Sequence, residues 1–201
     1  MIKAILLDLD GVVRNWPLEN DRRAEQAAGL PLGAIRQAAF APELLLPAIT
    51  GQVRDEVWRE RVVDRLRRDF PEADPEAAVR LWSAWPGEVN RDVLDLVRAC
   101  RQRRPVILVS NATSRLSLDL QRLGLAEAFD HVINSSEIGW IKPQVEIFEA
   151  ALAAAKVSAA EAFFVDDTAE NVAAASGLGI VGHLYQGIDR LKDDLLRYSL
   201  L

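Results

Sequence analysis

The stretch MIKAILLDLDGVVR, residues 1–14, decides how the chain is read. Six of the eight residues from Ile2 to Leu9 are apolar, and two carboxylates, Asp8 and Asp10, then close the run with only Leu9 between them. An apolar run of that length is a buried strand. A strand that ends in two charges needs something to compensate them, because a buried unpaired charge is expensive.

The same grammar recurs downstream. PVILVS, DHVINS, AFFVDD and GIVGHLY are further apolar runs of strand length, separated by helical segments at Ser114–Leu123, Gln144–Lys156 and Ala169–Ser176. Strands that are apolar nearly throughout are buried on both faces, as in a parallel sheet covered by helices. The expected fold is α/β, a Rossmann-like parallel sheet flanked by helices. The interval from Asn15 to Trp85 breaks the rhythm: it offers no strand, several prolines and a helical pattern in TGQVRDEVWRERVVDRLRRDF. It reads as a small helical domain, residues 15–85, inserted after the first strand of a core formed by residues 1–14 and 86–201.

Polar residues cluster at strand ends: Asp8 and Asp10 after the first strand, Ser110 and Asn111 after VILV, and Asp166 and Asp167 after FFV, with Lys142 in the loop beyond HVIN. In open parallel sheets ligands bind outside the carboxyl ends of the strands. These groups are therefore expected to meet in one crevice under the helical insert. Four carboxylates there could not all stay ionised unaided, and an oxygen-only ligand set favours Mg²⁺. A cation and a lysine would in turn attract a phosphoryl group. Each motif also has a structural reading, as a turn, a helix cap or an exposed loop lysine; together, in this order, they point to a site.

DLDGVV, SNAT, GWIKP and VDDTAENV resemble, in order and spacing, the four motifs of the haloacid dehalogenase-like hydrolase superfamily. The helical insert sits where that family carries its C1 cap. TGQVRDEVWRERV is similar to the cap of the subgroup with small sugar-phosphate phosphatases and the phosphatase domain of epoxide hydrolases. The resemblance implies that Asp8 is a nucleophile forming an aspartyl-phosphate, and that Asp10 protonates the leaving alkoxide and then activates water. It implies that Ser110, Asn111 and Lys142 bind phosphoryl oxygens. Mg²⁺ is implied on an Asp8 oxygen, the Asp10 carbonyl and Asp167, with Asp166 acting through water and Asn171 in support.

The function expected is a Mg²⁺-dependent phosphatase for a small phosphorylated metabolite such as a sugar phosphate. A β-phosphoglucomutase-like mutase is the alternative. Asp10 argues against a dehalogenase, whose halide leaving group needs no proton. The absence of lysine from residues 15–85 argues against Schiff-base phosphonate cleavage, and the retained Asp8, Asp10 and Lys142 against a silent binding module. Trp58, Trp82 and Trp85 read as core of the small domain, and Arg14, Trp16, Arg22 and Arg23 as hinge or surface residues.

The 201 residues carry 50% hydrophobic and 27% charged side chains and a formal net charge of −6. That composition suits a soluble globular protein and disfavours a nucleic-acid or membrane-surface footprint. One cysteine, Cys100, rules out an internal disulfide, and two distant histidines, His131 and His183, read as structural. With no leader-like segment at the start, the chain is expected to be cytoplasmic, acting as a monomer or homodimer.

Overall fold

A computed structural model describes all 201 residues, Met1–Leu201. The main sheet is built from β1 (Ala4–Leu7), β4 (Val106–Ser110), β5 (His131–Asn134), β6 (Ala162–Asp166) and β7 (Val181–Leu184). A second, two-stranded ribbon pairs β2 (Arg14–Asn15) antiparallel with β3 (Glu88–Val89). The main sheet is wholly parallel, in the order β5-β4-β1-β6-β7.

Alternation along each central strand explains why the sheet needs helices on both sides. Ile5 and Leu7, Val106 and Leu108, and Phe163 and Val165 face one core, which α6 (Arg91–Arg101), α7 (Leu116–Arg122) and α11 (Ile188–Arg197) cover. Their neighbours Ala4 and Leu6, Ile107 and Val109, and Ala162 and Phe164 face the opposite core, under α9 (Val145–Ala155) and α10 (Ala169–Gly177). Every residue of β1, β4 and β6 is buried, so each central strand carries apolar side chains toward both faces. A short helix, α8 (Ser135–Ile138), follows β5. The chain leaves β1 for β4 and β5 on one side and returns to β6 and β7 on the other. That reversal at β1 opens a crevice at the carboxyl ends of the central strands.

Between β2 and β3 the chain forms five helices: α1 (Leu18–Ala27), α2 (Ala34–Ala39), α3 (Pro42–Ile49), α4 (Asp55–Asp69) and α5 (Pro75–Ala84). They enclose a third core of their own, centred on Ile35, Trp58, Val62 and Leu66. The ribbon of β2 and β3 lies where the chain leaves and re-enters the sheet domain; two residues per strand leave no periodic trace in the sequence, and none was expected. No helix is long and apolar enough to cross a membrane.

His183 lies in β7, its Nδ1 meets Asp194 Oδ2 at 2.8 Å, and it does not line the strand-end crevice. Cys100 packs inside the first core, where burial pushes its thiol up to about 11. The thiolate is the reactive form, so iodoacetamide at neutral pH should leave Cys100 unmodified in the native chain and alkylate it after denaturation. Rapid native alkylation, read by intact mass, would contradict this packing.

Candidate active site

Asp8 follows directly on β1, and its own N–H is held by the Val165 carbonyl at 2.9 Å. The turn that carries Asp8 and Asp10 out of the sheet is tight: Gly11 N–H donates to the Arg14 carbonyl at 2.8 Å, and Arg14 N–H to that of Leu9 at 2.7 Å. Gly11 stands at φ +83°, a region that side chains avoid, and a Cβ there would run into the Asp167 carboxylate. Gly11→Ala therefore strains the turn and displaces Asp167 together. It should cost about 1–3 kcal/mol of stability in denaturant unfolding and remove most of the catalytic activity. Wild-type behaviour on both counts would contradict the close approach.

Lys142 joins the strand ends. Its ammonium is almost completely buried and lies 2.6 Å from Asp8 Oδ1 and 2.7 Å from Asp166 Oδ2. Burial alone would push the Lys142 pKa down, but Asp8 and Asp166 outweigh it and leave it raised. Asp8 moves up to about 7, chiefly through burial; Lys142 pulls it down, and the neighbouring Asp166 charge pushes it further up. One ammonium does not fully compensate two buried carboxylates.

Asp166 is saturated. Besides Lys142 it accepts the Thr168 N–H at 2.8 Å and both 3.1 Å contacts of the Asn171 amide. Asn171 is thus buried against Asp166, rather than an exposed residue of α10. Asp167 is exposed, and its only side-chain hydrogen bond is Thr168 Oγ1 to Oδ1 at 3.2 Å, which leaves Oδ2 open to the crevice. Burial raises the Asp167 pKa, the Thr168 hydrogen bond opposing it.

Ser110 Oγ, at the end of β4, is buried, lines the crevice and has no hydrogen-bond partner. Buried polar atoms are nearly always paired, so this orphan marks a place for a ligand atom. Asn111 is used differently from Ser110. Its amide clamps the main chain of Lys142, Oδ1 accepting Lys142 N–H at 2.7 Å and Nδ2 donating to Lys142 O at 2.9 Å. Its side chain holds the lysine loop.

Asp10 points toward the hinge. Arg14 Nε and Nη2 donate to its two oxygens at 2.6 and 2.9 Å, and Trp16 Nε1 donates to Oδ1 at 2.6 Å. Arg14 is itself buried and reaches Asp119 Oδ2 at 3.4 Å, while Arg115 Nε holds Asp119 Oδ1 at 2.9 Å. Arg14 and Trp16 lie at the hinge, as their place in the sequence suggests, whereas nothing in the sequence singles out Arg115 or Asp119. The last two look like an ordinary i,i+4 surface pair on a helix; the 105-residue separation of Arg14 from Asp119 left no local signal. Arg22 and Arg23 are exposed and stand outside the crevice.

The helices of residues 15–85 roof the crevice. Asp55, at the start of α4, accepts from Thr113 Oγ1 at 2.8 Å, and its N–H donates to Ser114 Oγ at 3.0 Å. Gly51, at φ +73°, lies so close to Ser136 that a Cβ would collide with its carbonyl. The cavity beneath these helices measures about 590 Å³, with Asp8, Asp10, Ser110, Lys142 and Asp167 on its floor. Trp58 belongs to the helical core, as expected, and Trp82 packs edge-on against it, yet both also line the cavity.

The floor fits a hard divalent cation. Ligand atoms of Asp8, Asp166 and Asp167 lie within 4.8 Å of one another, and all are carboxylate oxygens. An all-oxygen set of this kind suits Mg²⁺.

A family model described as haloacid dehalogenase-like hydrolase matches residues 2–179. Haloacid dehalogenase-like hydrolase domain-containing protein 3 of Bos taurus is 33% identical over 117 residues, covering 58% of this chain and 42% of that protein. Bifunctional epoxide hydrolase 2 of Mus musculus is 25% identical over 198 residues, covering 90% of this chain and 36% of that protein. The chain thus spans less than half the length of either relative. Among solved structures, a predicted HAD-like family hydrolase from Porphyromonas gingivalis superposes with a TM-score of 0.73 at 25% identity, over 98% of both chains. The family match over nearly the whole chain agrees with the parallel sheet and its strand-end carboxylates: this chain belongs to the haloacid dehalogenase-like hydrolases.

Proposed function

We propose that the chain is a Mg²⁺-dependent phosphatase that hydrolyses a small phosphorylated metabolite through an aspartyl-phosphate on Asp8, with residues 15–85 acting as the cap over a core of residues 1–14 and 86–201. The observation that carries this reading is the convergence on one floor of Asp8, the buried Lys142 and the unpartnered Ser110 hydroxyl, with one Asp167 oxygen open beside them. Relatives point the same way: pyrimidine 5'-nucleotidase YjjG of Escherichia coli is 32% identical over 123 residues. A HAD family enzyme of Bacteroides thetaiotaomicron in complex with magnesium and inorganic phosphate shares the fold, with a TM-score of 0.71.

In the first half-reaction an Asp8 oxygen attacks phosphorus as the ester P–O bond breaks. The leaving oxygen takes a proton from Asp10. In the second, water attacks the aspartyl-phosphate, giving its proton to Asp10, and phosphate departs with Asp8 restored. Lys142 neutralises Asp8 and the phosphoryl oxygens, and Ser110 Oγ donates to one of those oxygens. Asn111 acts by fixing the Lys142 loop. Arg14 and Trp16 set where the Asp10 carboxylate stands at the hinge. An Asp8 oxygen, the Asp10 carbonyl and Asp167 would hold Mg²⁺, which would supply positive charge beside the transferring phosphoryl group, with Asp166 and Asn171 supporting from behind.

Phosphate release from a generic aryl phosphate tests this directly. EDTA should abolish it and added Mg²⁺ restore it. Turnover that persists in EDTA would contradict the metal assignment.

A further inference from the structure

The cavity has a floor that would hold the phosphoryl group and a wall that would face whatever leaves. Four of the five tryptophans of the chain, Trp16, Trp58, Trp82 and Trp85, lie on that wall, with Phe40 and Leu45 beside them. Trp16 and Trp85 meet edge to face, with ring centroids 6.0 Å apart, and both are only half-buried. Stable small domains seldom leave this much indole beside an open cavity unless something covers it.

The charges on the same wall cancel. Arg14 is held by Asp10 and Asp119, Arg115 by Asp119, Arg36 by Asp21 and Arg59 by Asp55. Every arginine that lines the cavity already has a carboxylate partner, and Lys142 is committed to the floor. A second phosphate would have to displace one of these carboxylates. A sugar would need its hydroxyls satisfied, since unmet polar groups cost more than they return. On the cap side the buried polar atoms without a hydrogen bond are Asp55 Oδ2 and Arg59 Nε, which belong to one ion pair, and Asn15 adds one exposed side-chain amide that makes no hydrogen bond. These few groups do not match the several hydroxyls of a sugar.

We propose that the leaving group is a bulky, uncharged, largely apolar alcohol with aryl or long alkyl character, rather than a sugar or a group bearing further phosphates. The proposal rests on the phosphatase reading above and narrows it.

The test compares primary alkyl phosphates, whose leaving alcohols have similar basicity, so that recognition and not intrinsic reactivity sets the order. The panel is naphthylethyl phosphate, n-octyl phosphate, a hexose phosphorylated on its primary hydroxyl, and the octyl chain with a phosphate at each end. With Mg²⁺ present, kcat/KM for the first two should exceed that for the other two by about tenfold or more. A hexose phosphate or bisphosphate turned over equally well would overturn this inference and leave the phosphatase reading standing. No phosphate release from any member would overturn both. Trp85→Ala, checked for native circular dichroism, should shrink the naphthylethyl-to-hexose ratio several-fold, and Trp85→Phe should keep most of it. An unchanged ratio in a folded W85A chain would count against the aromatic wall.

Discussion

Asp8→Asn should lower kcat on the order of 10⁴-fold or more, the loss expected when a covalent nucleophile is removed from a site whose other parts remain. The substitution keeps the side-chain volume and the Asp8 position at the end of β1, so substrate binding survives. It should not destabilise the fold. Asp8 and Asp166 share one buried ammonium, and burial already pushes Asp8 up to about 7. Replacing one of the two carboxylates by a neutral amide relieves that excess, so the thermal midpoint should hold or rise, as happens where an active site stores unfavourable charge. Loss of activity together with a large fall in midpoint would mean that Asp8 serves structure instead.

Lys142→Ala is expected to give the opposite combination. Removing the ammonium leaves two buried carboxylates facing each other with no cation, a situation that costs about 3–5 kcal/mol when one partner of a buried pair is deleted. For a chain of this size that is roughly a 10 °C fall in thermal midpoint, accompanied by loss of phosphate release. Added Mg²⁺ should recover part of the stability, because a divalent cation on the same floor offsets the same charges. A Lys142→Ala chain as stable as the parent, with or without Mg²⁺, would show that the two carboxylates are not coupled through this residue.

The contrast between these two variants explains what the sequence could reveal. Five parallel strands, the central three buried throughout, announce themselves as apolar runs, and a parallel sheet places whatever follows each strand at one edge. Asp8, Ser110, Asp166 and Asp167 could therefore be gathered from linear positions alone, and Lys142 with them. The helical insert was visible as a break in that rhythm. The pairing of partners within the site was not. Asn111 follows β4 as expected, yet its amide is spent on the Lys142 main chain, a contact 31 residues away. Arg14, Arg115 and Asp119 form one network across the hinge through separations that carry no periodic signature. Trp82 and Trp85 fit the pattern of core residues, and core packing and cavity lining look identical along a helix when its opposite neighbour is unknown. Strand ends are legible because sheet geometry is regular; the cavity wall is not, because it depends on how two separate cores meet.

The most direct measurement is the acid-quenched trapping of a phosphoryl group on Asp8. In an Asp10→Asn chain an aryl phosphate needs no proton on its leaving group, so the first half-reaction proceeds, whereas water activation is impaired and the intermediate accumulates. Mass spectrometry of the quenched chain should place a hydroxylamine-sensitive phosphoryl adduct on the peptide Met1–Arg14 at Asp8, in a Mg²⁺-dependent manner, and the adduct should vanish in the Asp8→Asn chain. Phenol release that leaves Asp8 unmodified, or an adduct on another residue, would contradict the account.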